Sequence, residues 1–144
     1  MVFLSWLIRY GHVVFAATWV GGYALLAFVI VPLIGKEASG TLVQLAINTV
    51  RFLTYAGTLT IGFGIVLITR TNGFSNFFGS AWGGLIMTAF VIAIVLLGIG
   101  DGALRPAIKR LAKTGEAPAR LWAIVGFILT VIAVGVMTGA TYVW

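Results

Sequence analysis

The sequence predicts an all-α fold, an integral membrane four-helix bundle, and three observations lead there. Hydrophobic residues make up 61% of the 144 and charged residues only 8%, against about 25% charged in a soluble domain. Mean hydropathy is +1.14, so the folded chain has too few polar groups to cover its own surface in water. A spanning helix needs roughly 20 apolar residues, and four such runs fit the length with short connections. Strand-like alternation is absent, and helices satisfy every backbone group inside lipid. Cysteine is absent, which removes disulfides, thiolate metal sites and iron–sulfur clusters. The net charge of +6 falls at the edges of apolar runs, as a topology signal. The lipid bilayer is therefore the expected partner, and no nucleic acid is.

The chain reads as one transmembrane domain, 1–144, with spans at about 3–34, 41–69, 81–100 and 119–144. The first apolar run is too long for a cleaved leader and has neither a basic start nor a small-residue cleavage site. Pro32 and Gly35 close this span, and 36–40 is a short loop. Residues 41–51 open the second span near the headgroups. The turn-rich connection 70–80 places Phe74, Phe77 and Phe78 at the interface. Asp101-Gly102 breaks the third apolar pattern, and 103–113 is basic and partly amphipathic. After a loop at 114–118 the fourth span ends in Tyr142 and Trp144, aromatic anchors. Lys36, Arg51, Arg105, Lys109, Arg110, Lys113 and Arg120 flank the first and third connections, while only Arg9 and Arg70 lie on the other side. The positive-inside rule then puts those connections in the cytoplasm and both termini outside the cytoplasm, in a multi-pass cell membrane protein.

Within the first span lies the only histidine, His12. An imidazole at membrane depth is costly and reads by default as a functional candidate. His12, Ala16, Trp19 and Tyr23 share one helical stripe, giving a ligand, a small residue that opens space, and two flat aromatics. That order suits a planar cofactor such as haem b. The plainer alternative is a hydrogen bond from His12 to a carbonyl or hydroxyl on a neighbouring helix, with Trp19 and Tyr23 as packing residues.

Counting about 1.5 Å per residue, His12, Met87 and Met137 fall at similar depths in the outer half of the bundle. Haem iron accepts a thioether opposite imidazole, and copper(I) takes imidazole with two thioethers. Both chemistries fit, while methionine also serves as an ordinary gap-filler. Arg9, one turn before His12, is placed to pair with a haem propionate or to reach the interface. Gly98–Gly102 and Gly135–Gly139 are small-residue pairs suited to close helix approach within the bundle or in a homodimer. A dimer is one route to a second histidine ligand. No acid–base pair or nucleophile stands out, so any enzymatic activity would be that of a haem-dependent oxidoreductase. A cofactor-free subunit of a larger membrane complex is the third reading.

Gly11-His12 followed by Trp19-Val20-Gly21-Gly22 resembles the first helix of the copper-resistance D superfamily. The chain is also similar in length, span count and this opening to the related four-helix bacterial protoporphyrinogen oxidase-type haem-binding proteins. Arg51 before a Thr- and Gly-rich second span, and Trp82 opening the third, match as well. The resemblance implies a haem-binding four-helix protein of a prokaryotic plasma membrane, with His12 as an axial ligand. Electron transfer or haem handling follows from it, with a quinol as possible redox partner. The lysine and second histidine that such members carry from the third helix onward have no counterpart here, which leaves one histidine ligand per chain.

Overall fold

The computed structural model describes residues 2–37, 39–71 and 73–143. Trp144, expected as an anchor, lies outside the described residues, as do Ala38 and Asn72 in the first two connections. All four long elements are helices: α1 Val2–Lys36, α2 Gly40–Arg70, α3 Ala81–Lys109 and α4 Ala117–Ala140. Each is long and apolar enough to cross a membrane, and the described residues contain no strand. Ser80 starts α3 by accepting the Gly83 N–H on its hydroxyl at 3.0 Å, satisfying one of the open donors of a helix start.

The helices alternate in direction. One end of the bundle holds the loops after Lys36 and Lys109 and most of the basic residues; it is called the basic end here. The other, the terminal end, holds the start of α1, the end of α4 and the connection from Arg70 to Ala81. That connection contains a single turn of 3₁₀ helix, Gly73–Asn76. Its Phe77 stands edge-on to Trp82, with ring centroids 6.4 Å apart, while Phe78 is 86% exposed.

The first span ends close to where Pro32 and Gly35 place it, at Lys36, but the expected break at Asp101-Gly102 is not an end, and α3 runs on to Lys109. Both helices widen into π-helix, over Leu26–Ile30 and Ile99–Leu104. The Val31 N–H donates to the Leu26 carbonyl and the Arg105 N–H to the Gly100 carbonyl, each five residues back. A proline follows at the same offset, Pro32 after Ile30 and Pro106 after Leu104. Proline lacks a donor and its ring crowds the carbonyl four residues earlier. Opening the preceding turn relieves that crowding and lets the helix run on. Asp101, which interrupts the apolar pattern, is satisfied in place: it pairs with Arg105 at 3.0 Å and accepts the Thr54 hydroxyl at 3.3 Å. The basic stretch then bends along the bundle, with Ile108 and Leu111 buried.

α1 packs most closely against α2, and α3 against α4, with α1 also along α4. α2 meets α3 mainly along Ile99–Lys109, at the basic end. The large core residues gather in that half: Tyr23, Leu26, Ile34, Leu53, Leu96 and Leu104 are almost fully enclosed. The terminal half buries mostly small or polar positions, such as Thr60, Ala89, Thr130 and Ala140.

Candidate functional site

His12 lies between α1 and α2 in the terminal half. Its Nδ1 is 2.8 Å from the backbone carbonyl of Thr60, a distance that makes Nδ1 the protonated donor and leaves Nε2 with a lone pair. Two glycines of α2 make room for the rings on this face. A Cβ on Gly64 would stand 3.1 Å from His12 Cε1, and one on Gly57 would stand 2.6 Å from the Trp19 ring. Thr60 sits between them and returns its own hydroxyl to the Ala56 carbonyl at 2.8 Å, so only its main-chain oxygen turns to the imidazole.

Nε2 makes no hydrogen bond among the described residues. It is not sealed in either, since among the described residues the one buried side-chain nitrogen or oxygen without a partner is Arg105 Nε. The imidazole thus shows one nitrogen fixed by a carbonyl and the other open. This is the arrangement in which a histidine binds metal, the second ring nitrogen being held by a carbonyl or carboxylate. It is equally the plain interhelical hydrogen bond expected of a histidine in a bundle.

The rest of the stripe is accounted for by packing. Trp19 is buried against Gly57, and Tyr23, 2% exposed, presses its ring on Gly126 and donates its hydroxyl to the Leu96 carbonyl at 3.1 Å. Both aromatics face protein, so neither forms an open wall beside His12. Ala16 is half-buried and Arg9 exposed.

Register places the methionines at the depth of His12. Tyr23, eleven residues after His12, meets Leu96 and Gly100, which lie nine and thirteen residues after Met87. Gly139 of α4 approaches Leu85 of α3, which brings Met137 to the same layer. Exposure is another matter. Met87 is 41% exposed, more open than the buried Ala89 two residues on. The exposure of Met87 sets it apart from His12 and Met137, which are half-buried. No group of three or more His, Asp or Glu side chains that could hold a metal occurs among the described residues.

A carbonyl of a neighbouring helix was expected as one partner for His12, and it is that of Thr60; the glycines beneath the rings were not anticipated. Gly57 and Gly64, seven apart on α2 and hence on one face, were the readable signal. No protein-family model, curated protein or solved structure matches this chain.

Proposed function

We propose that the chain is a membrane b-type haem protein with His12 as an axial ligand, acting in electron transfer or haem handling. The observation that carries this reading is the His12 ring itself, with Nδ1 on the Thr60 carbonyl and Nε2 unpartnered. In that state the imidazole presents a lone pair of defined direction, and the hydrogen bond raises its basicity as a ligand. Haem would supply one-electron chemistry; this chain's residues bind and orient it. Arg9, exposed one turn nearer the chain terminus, is positioned to pair with a propionate. The fit covers one ligand, not two. Met87 is 41% exposed on α3, so a second ligand would come from Met137, from a second copy or from another subunit, or would be lacking. On this reading both termini lie outside the cytoplasm of a prokaryotic plasma membrane, the chain is related to the copper-resistance D superfamily, and a quinol is a candidate electron donor.

The test is the absorption spectrum of the purified protein before and after addition of haem. A Soret band that is lost in His12→Ala, with helical content unchanged, is the expected result. Absence of the band in the wild type, even with haem supplied, removes the proposal. Copper analysis of the same sample, repeated after replacing Met87 and Met137 with Leu, separates the copper(I) alternative. A second reading, a cofactor-free subunit of a membrane complex, draws on the fact that the Thr60 bond and the packing of Trp19 and Tyr23 need no ligand. It predicts a colourless, metal-free protein whose His12→Ala variant keeps its partners.

A further inference from the structure

Polar side chains on the outside of a spanning helix face lipid, where water cannot satisfy them. Most threonines here answer this locally. Thr18, Thr49 and Thr58 each donate to the carbonyl four residues back at 2.8–2.9 Å. The outer face of α2 has a set that does not. Gln44 Nε2 donates to Asn48 Oδ1 at 3.0 Å, which leaves the Gln44 carbonyl and the Asn48 amide group unfilled. Arg51, one turn further on, is exposed and has no ion-pair partner among the described residues. It stands near the level of Tyr23, which on α4 meets Gly126, nine residues from Ala117. That is roughly 14 Å along the helix from the basic end.

Two grooves meet at Asn48. One runs along Thr41, Gln44 and Leu45 at the start of α2. The other continues deeper between α1 and α2, past Gly21, Leu25, Phe52 and Leu53. Together they form a track that is polar near the basic end and apolar toward mid-membrane. The polarity order is that of a membrane lipid, head at the surface and chain within. The charge is complementary too. Apart from Arg51, the basic end carries six basic side chains against all three acidic ones, and Asp101 is already matched by Arg105. Helical side chains lean toward the helix N-terminus. On α2 this leans Arg51 back toward Asn48 and Gln44, where a phosphate head would lie.

We infer that this track binds an anionic glycerophospholipid of the leaflet at the basic end. Gln44, Asn48 and Arg51 hold its head, and the α1–α2 groove takes an acyl chain. The site is separate from His12 and independent of any haem.

Native mass spectrometry of the detergent-solubilised chain with phosphatidylglycerol or phosphatidylcholine provides the test. Expected is a preference for phosphatidylglycerol of roughly fivefold, the contribution of one basic side chain at a membrane surface. Arg51→Gln should abolish the preference. Gly21→Leu should lower retention of both lipids, and it should do so without disturbing the fold, because a Cβ at Gly21 meets nothing within 4 Å. Gly62→Leu, equally open but remote from the track, should leave binding unchanged. Equal retention of the two lipids by the wild type overturns the assignment, as does indifference to both Arg51→Gln and Gly21→Leu. A wild-type species of two copies that those substitutions split, with no lipid bound, would instead assign the face to a second copy and would also overturn it.

Discussion

Tyr23 and His12 are built alike and finish differently. Each is a polar ring on α1 seated over a glycine of a neighbouring helix, and each bonds a backbone carbonyl across the bundle. Tyr23 has one donor and uses it on Leu96, and its ring is 2% exposed. His12 has two ring nitrogens and uses one, and its ring is only half-buried. Around Tyr23 the helices close on large enclosed residues, whereas beside His12 the stacked Phe15 and Phe63 rings and Gly64 leave the imidazole only half-buried. Lipid offers no hydrophobic gain for bringing helices together, so association rests on packing and interhelical hydrogen bonds. The basic half has the large enclosed residues and, among the described residues, two such bonds, Tyr23 to the Leu96 carbonyl and Thr54 to Asp101. In the terminal half the His12 imidazole bonds the Thr60 carbonyl through one nitrogen and keeps a spare ligand atom on the other, which is where an added group would contribute most.

If that contrast is right, the largest effect comes from filling the space under Tyr23. A Cβ on Gly126 would overlap the Tyr23 ring, and the ring cannot retreat because it is enclosed. Gly126→Ala should cost about 2–3 kcal/mol, the upper range for overpacking a tight core. Reversible unfolding in bicelles, followed by helical circular dichroism, measures it. A loss below about 1 kcal/mol would mean that the basic half is looser than its burial implies.

Tyr23→Phe removes only the hydroxyl. The Leu96 carbonyl then loses its side-chain partner in a region without water, and the expected cost is about 1 kcal/mol. The same unfolding assay, combined with Gly126→Ala in a double-mutant cycle, should show strong non-additivity, since both changes act on one ring. Simple additivity would separate the hydrogen bond from the packing.

The four spans could be read from the sequence because hydropathy and length alone constrain them. Their interruptions could not. Asp101-Gly102 looks like a stop when the third helix is read by itself, but the groups that tolerate it lie elsewhere. The turn before each proline widens, and the Asp101 carboxylate is met by Arg105 and by Thr54 on another helix. His12 was conspicuous by its chemistry, while its partner is a main-chain oxygen, which every residue has. The stripe through Trp19 and Tyr23 correctly set those residues on one face. A stripe cannot say whether that face meets a cofactor or another helix. Gly57 and Gly126, which receive the two rings, answer that, but only once the registers of α2 and α4 against α1 are known.

The smallest effect should come from the glycine under His12. A Cβ on Gly64 would lie 3.1 Å from His12 Cε1 and 3.5 Å from Nδ1, so the ring must give by only a few tenths of an ångström. It has somewhere to go, because its far side is open. The shift lengthens the bond to Thr60, worth about 0.6 kcal/mol between membrane helices, while alanine is favoured over glycine within a helix by up to about 1 kcal/mol. These opposing contributions should leave Gly64→Ala within about 0.5 kcal/mol of the wild type in the same bicelle assay. A loss as large as that of Gly126→Ala would show the imidazole to be held as rigidly as Tyr23. The proposed openness of the terminal half would then fail on stability grounds, whatever the absorption spectrum reports.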